Sequence, residues 1–149
     1  MKLKTFALIG LLGLILTGCD RVDPNSPLGK RQAIFKQMLK TSEDLGGMLR
    51  GRITFDEARF ITGAAKLDQL SREPWQHFPQ VKDEGDSRAK DEVWQRQARF
   101  QELARALEAS TAALVLATSA PPLKPDGLAP AVQRVEDSCK ACHEEFRAY

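Results

Sequence analysis

Five consecutive residues near the C-terminus, Cys139-Lys140-Ala141-Cys142-His143, have the types and the spacing that attach a c-type haem. Each of the two thiols can add to one vinyl group of the porphyrin and form a thioether. The imidazole that follows can then reach the iron from the proximal side. The motif therefore predicts one covalently bound haem c, with Cys139 and Cys142 as attachment sites and His143 as the iron ligand.

Other interpretations of these residues fit less well. A redox Cys-x-x-Cys of the thioredoxin kind opens a helix after a strand, whereas this motif lies near the end of a chain with little strand signal. A structural zinc site needs four soft ligands, and the remaining cysteine and histidine are only Cys19 and His77. A disulfide across so short a loop would be strained. We expect His77, in a polar connection, to be a surface residue.

The N-terminus indicates export. Lys2 and Lys4 precede an apolar run, residues 6–16, which is shorter than the roughly 20 residues that span a bilayer. The next residues, Leu-Thr-Gly-Cys19, resemble the lipoprotein box of bacteria, in which the cysteine is lipidated and begins the mature chain. We therefore expect a lipoprotein signal peptide over residues 1–18 and lipidation at Cys19; an ordinary signal peptide or a short retained anchor is the alternative.

Lipidation and haem attachment agree on the compartment. Covalent haem attachment in bacteria takes place outside the cytoplasm, and two or more acyl chains on Cys19 suffice for stable anchoring. Asp20 resembles the signal that keeps lipoproteins at the inner membrane in enteric bacteria. We expect a periplasmic domain, residues 28–149, joined to an inner-membrane lipid anchor by a polar tether over residues 19–27.

The charge balance gives no support for nucleic-acid binding. Lys2 and Lys4 account for the formal net charge of +2, so residues 19–149 are formally neutral. No basic stripe interleaved with aromatic residues is present. The mature chain has the length of one ordinary domain.

Helical periodicity dominates the rest of the sequence. It predicts four helices, which cover residues 28–51, 54–71, 90–118 and 128–147. Thr54, with Glu57 three residues later, is the expected N-cap of the second helix. The connection over residues 72–89 contains prolines and charges, and its length would allow a crossover between opposite ends of a bundle. The pattern therefore predicts an all-α four-helix bundle with the haem site on the C-terminal helix.

Three stretches resemble class II c-type cytochromes, the cytochrome c′ group. They are residues 31–35 in the first helix, residues 89–100 in the third, and residues 135–147 in the fourth, which contain the haem motif. The resemblance covers nearly the whole mature domain. It implies a left-handed antiparallel four-helix bundle that holds haem between its helices, and often a homodimer formed through the first two helices.

The resemblance also implies which residue faces the iron opposite His143. The matching position is Phe35, which cannot ligate iron and would leave it five-coordinate. Met38, one helical turn further on, is the alternative, because a thioether can be a sixth ligand and would make a low-spin centre. Met at helical spacing is more often core packing, and we expect that role for Met38. Met48 is a more remote ligand candidate.

Four further residues are expected around the haem. Arg31 matches a family position whose guanidinium lies near a haem propionate, and Gln32 is expected beside it. Trp94 is expected to pack in the core or against the porphyrin. Arg147, at i+4 from His143, resembles a basic residue beside the proximal imidazole, although a cation near a helix C-terminus has an ordinary stabilising role as well.

Two functions follow from these alternatives. With Phe35 distal, the protein would bind nitric oxide or carbon monoxide; with Met38 as ligand, it would carry electrons to a redox partner protein. Catalytic turnover has little support, because the sequence shows no triad, no paired carboxylates and no second metal site.

Overall fold

The computed structural model describes residues 22–82 and 87–149, and these form five α-helices and one turn of 3₁₀ helix. The helices are α1 (Pro27–Leu49), α2 (Glu57–Ser71), α3 (Glu92–Gln95), α4 (Gln97–Ala117) and α5 (Pro125–Phe146), and the 3₁₀ helix is Trp75–His77. In these two ranges the only β pairing is an isolated bridge between Ala89 and Arg147. The predicted all-α class is therefore confirmed for the described part of the chain.

The four long helices are arranged as a ring. Helix α1 packs on α2, α2 on α4, α4 on α5, and α5 again on α1. Short connections, residues 50–56 and 118–124, join the first and the last pair, as is usual for antiparallel neighbours. No helix among the described residues is both long enough and apolar enough to span a bilayer. The predicted signal peptide and Cys19 lie outside the described residues and stay predictions.

The described parts of the connection, residues 72–82 and 87–96, lie at one end of the bundle and do not cross to the other, contrary to expectation. There they contact the first turns of α1 and the last turn of α5. The guanidinium of Arg31 donates to the carbonyl oxygen of His77 at 3.0 Å and to Ser87 Oγ at 3.1 Å. Ala89 pairs with Arg147 on the other side. The described residues of this long segment therefore cover this end of the bundle.

Two helix starts differ from the prediction. Helix α1 begins at Pro27 because Ser26 caps it, with Oγ accepting from the amide of Gly29 at 3.0 Å. Part of the expected tether thus belongs to the domain. Helix α2 is capped by Asp56, not Thr54: the Asp56 carboxylate accepts from the amide of Arg59 at 2.9 Å. A carboxylate at this position accepts from the free amide, as a hydroxyl could, and its negative charge also complements the helix dipole.

The expected third helix is interrupted. Arg96, with φ −123° and ψ 48°, leaves helical conformation between α3 and α4. Its guanidinium pairs with Glu145 at 2.9 Å and lies 5.7 Å from the centroid of the Phe146 ring. The short α3 is bonded to an earlier part of the connection, because Trp94 Nε1 donates to the carbonyl oxygen of Pro79 at 2.8 Å. Tertiary contacts of two side chains therefore override the local helical pattern.

Helix α5 begins at Pro125, three residues earlier than predicted, and continues through Pro130. Proline at the first helical position costs little, since that amide would have no partner. Pro130 removes only the bond to the carbonyl of Asp126, and both residues are exposed, so water can satisfy that oxygen. The helix ends at Phe146, which leaves Arg147 in extended conformation, with φ −116° and ψ 130°.

Within residues 22–82 and 87–149 the core consists of two clusters. The larger cluster is formed by α1, α2, α4 and α5 and includes Phe60, Leu45 and Leu114, all nearly inaccessible to solvent. The smaller cluster lies under the connection and contains Val93, Phe100, Leu103 and Phe146. The haem motif on α5 lies where the two clusters meet.

Candidate haem site

The two motif cysteines lie on the inner side of α5. Because they are three residues apart in a helix, Cys139 and Cys142 are neighbours on one face. Both are half-buried and neither is in a disulfide. Cys139 packs against the larger core cluster, and Cys142 packs with Ala141 against the smaller one. The thiols therefore point to the seam between the two clusters.

The thiols are held in the neutral state. Burial, followed by the charge of Glu136, raises the pKa of Cys139 to about 11. Burial, followed by the neighbouring Cys139, raises the pKa of Cys142 to about 11. Redox-active dithiols and reactive thiolates depend on the opposite shift. The electrostatics thus argue against a thioredoxin-like role for the motif.

His143 is the most exposed of the three motif side chains that carry chemistry. Burial of part of its ring, followed by the nearby charge of Arg147, lowers the pKa of the imidazole below its usual range. The neutral imidazole that results is the form that ligates a metal. Arg147 donates its backbone amide to the carbonyl oxygen of His143 at 3.1 Å, and its guanidinium lies 5.6 Å from the centroid of the Tyr149 ring.

The last turn of α5 is fixed by polar contacts with the connection. The amide of Lys90 donates to the carbonyl oxygen of Phe146 at 3.0 Å, and the amide of Ala148 donates to that of Arg88 at 2.8 Å. Lys90 Nζ also donates to the carbonyl oxygens of Glu144 at 3.0 Å and Glu145 at 3.3 Å. A cation at this position satisfies the free carbonyls of a helix C-terminus and complements its dipole. His143 therefore lies on a turn with little freedom.

Charged side chains hold the same turn against α4. Glu145 accepts from Arg99 at 2.7 Å and from Arg96 at 2.9 Å. The Arg99 guanidinium holds the pKa of the Glu145 carboxyl below its usual range. Because Glu145 is two residues from His143, these pairs fix the turn that carries the imidazole.

Phe35, the predicted distal residue, lies in a group of aromatic rings. It is half-buried and packs against the larger core cluster, as does Cys139. Its ring makes edge-to-face contacts with Trp75, at a centroid distance of 6.1 Å, and with Phe78, at 6.4 Å. Phe78 in turn contacts Phe100 at 4.9 Å. The series continues to Trp94, 6.5 Å from Phe78, and to Phe146 on α5, 5.4 Å from Phe100.

The other predicted residues differ in their burial and in the core cluster that they contact. Arg31 is only 3 % exposed, and besides donating to His77 and Ser87 it lies 4.5 Å from the centroid of the Phe78 ring. Gln32 is exposed. Trp94 packs against the smaller cluster, as does Cys142. Met38 is buried at 6 % exposure in the larger cluster.

The last three predicted residues are Met48, His77 and Cys19. Met48 is buried at 3 % exposure, also in the larger cluster. His77 is half-buried, not fully exposed as expected, and its backbone carbonyl accepts from Arg31. Cys19 lies outside the described residues.

The sequence reasoning missed Trp75 and Phe78. Trp75 packs against both core clusters and Phe78 against the smaller one, yet both lie in a segment that composition marks as a loop. Two aromatic residues at a spacing of three, directly after Pro74 in a polar stretch, were the available signal. Large apolar side chains in a loop indicate that the loop packs on the body of the domain.

An all-helical domain with paired thiols and an adjacent neutral imidazole on its last helix defines a helical c-type cytochrome. The model of the cytochrome c′ family matches residues 26–147, almost the whole of the described structure. The chain belongs to the cytochrome c′ family, whose members bind haem c.

Individual relatives agree along nearly their whole length. A cytochrome c′ from Rhodopseudomonas palustris is 31 % identical over 99 % of this chain and 98 % of its own. The structure of cytochrome c prime from Shewanella frigidimarina is 30 % identical, covers 87 % of this chain and 100 % of its own, and superposes with a TM-score of 0.79. A nitric oxide complex of a variant of the Alcaligenes xylosoxidans protein is 27 % identical, covers 87 % of this chain and 99 % of its own, and has a TM-score of 0.75. Another variant of that protein has been solved with carbon monoxide bound.

Proposed function

We propose that this protein is a periplasmic, lipid-anchored haem protein that binds nitric oxide and carbon monoxide on the side of Phe35. Cys139 and Cys142 attach the haem and His143 is the single protein ligand. Haem supplies, when bound, an iron that takes up a diatomic gas or exchanges an electron. The observation that carries the proposal is the pair of half-buried, neutral thiols beside a neutral imidazole on α5.

The chemistry of these donors fits a c-type haem. Two unpaired thiols on one helical face can each form a thioether, and their position at the seam between the clusters would place the porphyrin against apolar side chains. Lys90 and Glu145 restrain the turn of His143, so the imidazole is oriented before it binds. Arg147 disfavours protonation of that imidazole.

Phe35 determines what could bind opposite His143. A phenyl ring offers no lone pair and no hydrogen-bond donor, so it neither ligates iron nor stabilises bound dioxygen. Of its ring neighbours, Trp75 has a donor, but that N–H is directed at Glu108 at 2.8 Å. Nitric oxide and carbon monoxide bind without such donors, and the solved complexes of the Alcaligenes relative support the same ligands for this chain.

The low-spin alternative is not favoured. Met38 is buried at 6 % exposure within the larger core cluster, where its flexible thioether fills space among aliphatic side chains. A role in electron transfer remains compatible with an open iron. Catalytic turnover is not a property expected of this family.

The optical spectrum of the full-length ferric protein tests the ligand set. We expect a high-spin spectrum and rapid binding of carbon monoxide after reduction. A methionine–iron charge-transfer band that disappears in Met38→Ala would overturn the proposal.

Replacing Cys139 and Cys142 together by Ser should make all haem extractable by acid-acetone, and retained covalent haem would contradict the attachment.

The lipid anchor has its own test. Cys19→Ser should move the protein from the membrane fraction to the soluble periplasmic fraction, because no acyl chain remains. The spectrum of the released protein should match that of the wild type. Unchanged membrane association would count against lipidation at Cys19.

We also propose a homodimer formed through α1 and α2. A surface groove of about 460 Å³ lies between these helices and is lined by both, including Thr62 of α2. Thr62→Arg would put a long side chain into this groove, whereas Ala109→Arg puts the same side chain on an exposed position of α4. Sedimentation equilibrium should show a dimer for the wild type and for Ala109→Arg, and a monomer for Thr62→Arg.

A further inference from the structure

Trp75 is the one described side chain that packs against both core clusters as a partly buried aromatic residue. Its indole makes edge-to-face contacts with Phe35 at 6.1 Å and with Phe100 at 5.8 Å. Trp75 therefore lies between the predicted distal residue and the rings that lead to α5. It belongs to a 3₁₀ helix in the connection and not to one of the four long helices.

The position of the indole is fixed from α4. Trp75 Nε1 donates to Glu108 Oε1 at 2.8 Å, a charge-assisted hydrogen bond between groups 33 residues apart. The other oxygen of Glu108 lies 3.9 Å from Arg72 Nη1, and Arg72 pairs with Asp68 at 2.8 Å. Asp68 in turn accepts from the buried hydroxyl of Thr111 at 3.0 Å. The Glu108 carboxylate, which accepts from the indole, is therefore itself restrained by neighbouring polar groups.

This anchoring restricts Phe35. The ring of Phe35 has Trp75 on one side and Phe78 on another, both in edge-to-face contact. Phe78 is further restrained by the Arg31 guanidinium at 4.5 Å. A rotation of Phe35 therefore needs a displacement of the indole, which the hydrogen bond to Glu108 opposes.

We propose that Trp75, anchored by Glu108, is a positioning residue that restrains Phe35 and so limits the rate at which a diatomic gas reaches the distal side. In this proposal both residues act through Phe35. The inference rests on the proposed function, in which Phe35 covers the iron, and it adds the groups that control how readily Phe35 moves aside.

The first test is the rate of carbon monoxide binding to the reduced holoprotein, measured by flash photolysis. Glu108→Leu should raise the association rate about tenfold, the factor that 1.4 kcal/mol represents. Glu108→Gln keeps an acceptor for the indole and should stay within about twofold of the wild type, a difference well below the tenfold step. Arg105→Leu, a change to leucine at an exposed position on the same helix, should leave the rate unchanged.

A second readout reports the hydrogen bond itself. In the diamagnetic carbon monoxide complex, the indole N–H of Trp75 gives its own resonance in a ¹⁵N–¹H spectrum. We expect this resonance to move in Glu108→Leu and to stay near its position in Glu108→Gln. If it moves while the association rate stays at the wild-type value, the inference is overturned.

Two variants separate restraint from general loosening. Trp75→Phe keeps a ring but has no N–H donor, so it should raise the association rate as much as Glu108→Leu is expected to. It takes the place of Glu108→Leu in the test if that variant folds poorly. In a Phe35→Ala background, Glu108→Leu should have no further effect, and an undiminished tenfold effect there would overturn the route through Phe35. A wild-type protein that binds no carbon monoxide would overturn the proposed function and this inference together, whereas normal wild-type binding with an unaltered Glu108→Leu rate overturns the inference alone.

Discussion

The turn that carries His143 and the surroundings of Phe35 are stabilised in different ways. Directional polar contacts fix the turn, among them the ion pairs of Glu145 and the bonds from Lys90 to backbone carbonyls. Ring contacts hold Phe35, and a single carboxylate anchors one of those rings. Polar contacts define one geometry, whereas ring packing tolerates small movements at small cost. The domain thus combines a turn of fixed geometry at His143 with an adjustable group of rings around Phe35.

Phe100→Ala should have the largest effect on stability. Phe100 is 3 % exposed and contacts the rings of Trp75, Phe78 and Phe146. Its removal should lower the free energy of unfolding by about 3–5 kcal/mol, because a large cavity opens among these rings. Urea denaturation of the holoprotein measures the change. Leu116→Ala, at a 72 % exposed position, is the control and should change it by less than about 0.5 kcal/mol. A loss below about 1 kcal/mol for Phe100→Ala would show that the rings pack loosely.

Arg31→Met should have the next largest effect. The guanidinium is buried and donates to His77 and Ser87 of the connection, and hydrogen bonds from a charged group contribute about 1.5–3 kcal/mol each where they are buried. We expect a loss of about 2 kcal/mol in urea denaturation, since methionine keeps some of the packing on Phe78. Arg31→Lys should recover little, because an ammonium cannot reproduce the planar fork. Full recovery by lysine would mean that charge alone matters.

Met38→Leu should have a small effect. The two side chains have similar volumes, so the free energy of unfolding should change by less than about 1.5 kcal/mol. The ferric spectrum should not change at all if Met38 is core packing. The spectrum and the denaturation curve together decide between the two roles. A changed spectrum at nearly unchanged stability would make Met38 an iron ligand, and Phe35 would then not be the residue opposite His143.

Glu145→Gln should have the smallest effect on melting, since its partners Arg96 and Arg99 are exposed to solvent. The effect of Glu145→Gln should be visible in how thermal melting depends on pH. Because the pKa of the Glu145 carboxyl is lowered in the folded protein, its ion pairs stabilise the wild type at pH values above the ordinary carboxyl range. This stabilisation is lost as the pH falls through the folded pKa. Thermal melting between neutral and acid pH should therefore show a smaller acid loss in Glu145→Gln. An identical acid loss in both proteins would show that these pairs do not stabilise the turn.

The parts of the site that depend on adjacency in sequence were predictable. Cys139, Cys142 and His143 follow a fixed chemical spacing, and the helical period that places them on one face is a local property. The all-α class followed from the same periodicity. These statements need no knowledge of what lies far away along the chain.

The errors arose where distant residues decide the local structure. Arg96 breaks the third helix because Glu145 and Phe146, about fifty residues later, hold its guanidinium. Arg147 leaves the helical register because it pairs with Ala89. The importance of Trp75 depends on Glu108 across the bundle. No single-sequence pattern contains these pairings.

The position of the connection at one end of the bundle has a consequence for local unfolding. It is bonded to the first turns of α1 through Arg31 and to the last turn of α5 through Ala89 and Lys90. Segments from opposite ends of the chain thus share one set of contacts. In native-state hydrogen exchange the amides of Lys90 and Ala148 should open together, at one common free energy, as a single cooperative unit made of three separate pieces of sequence.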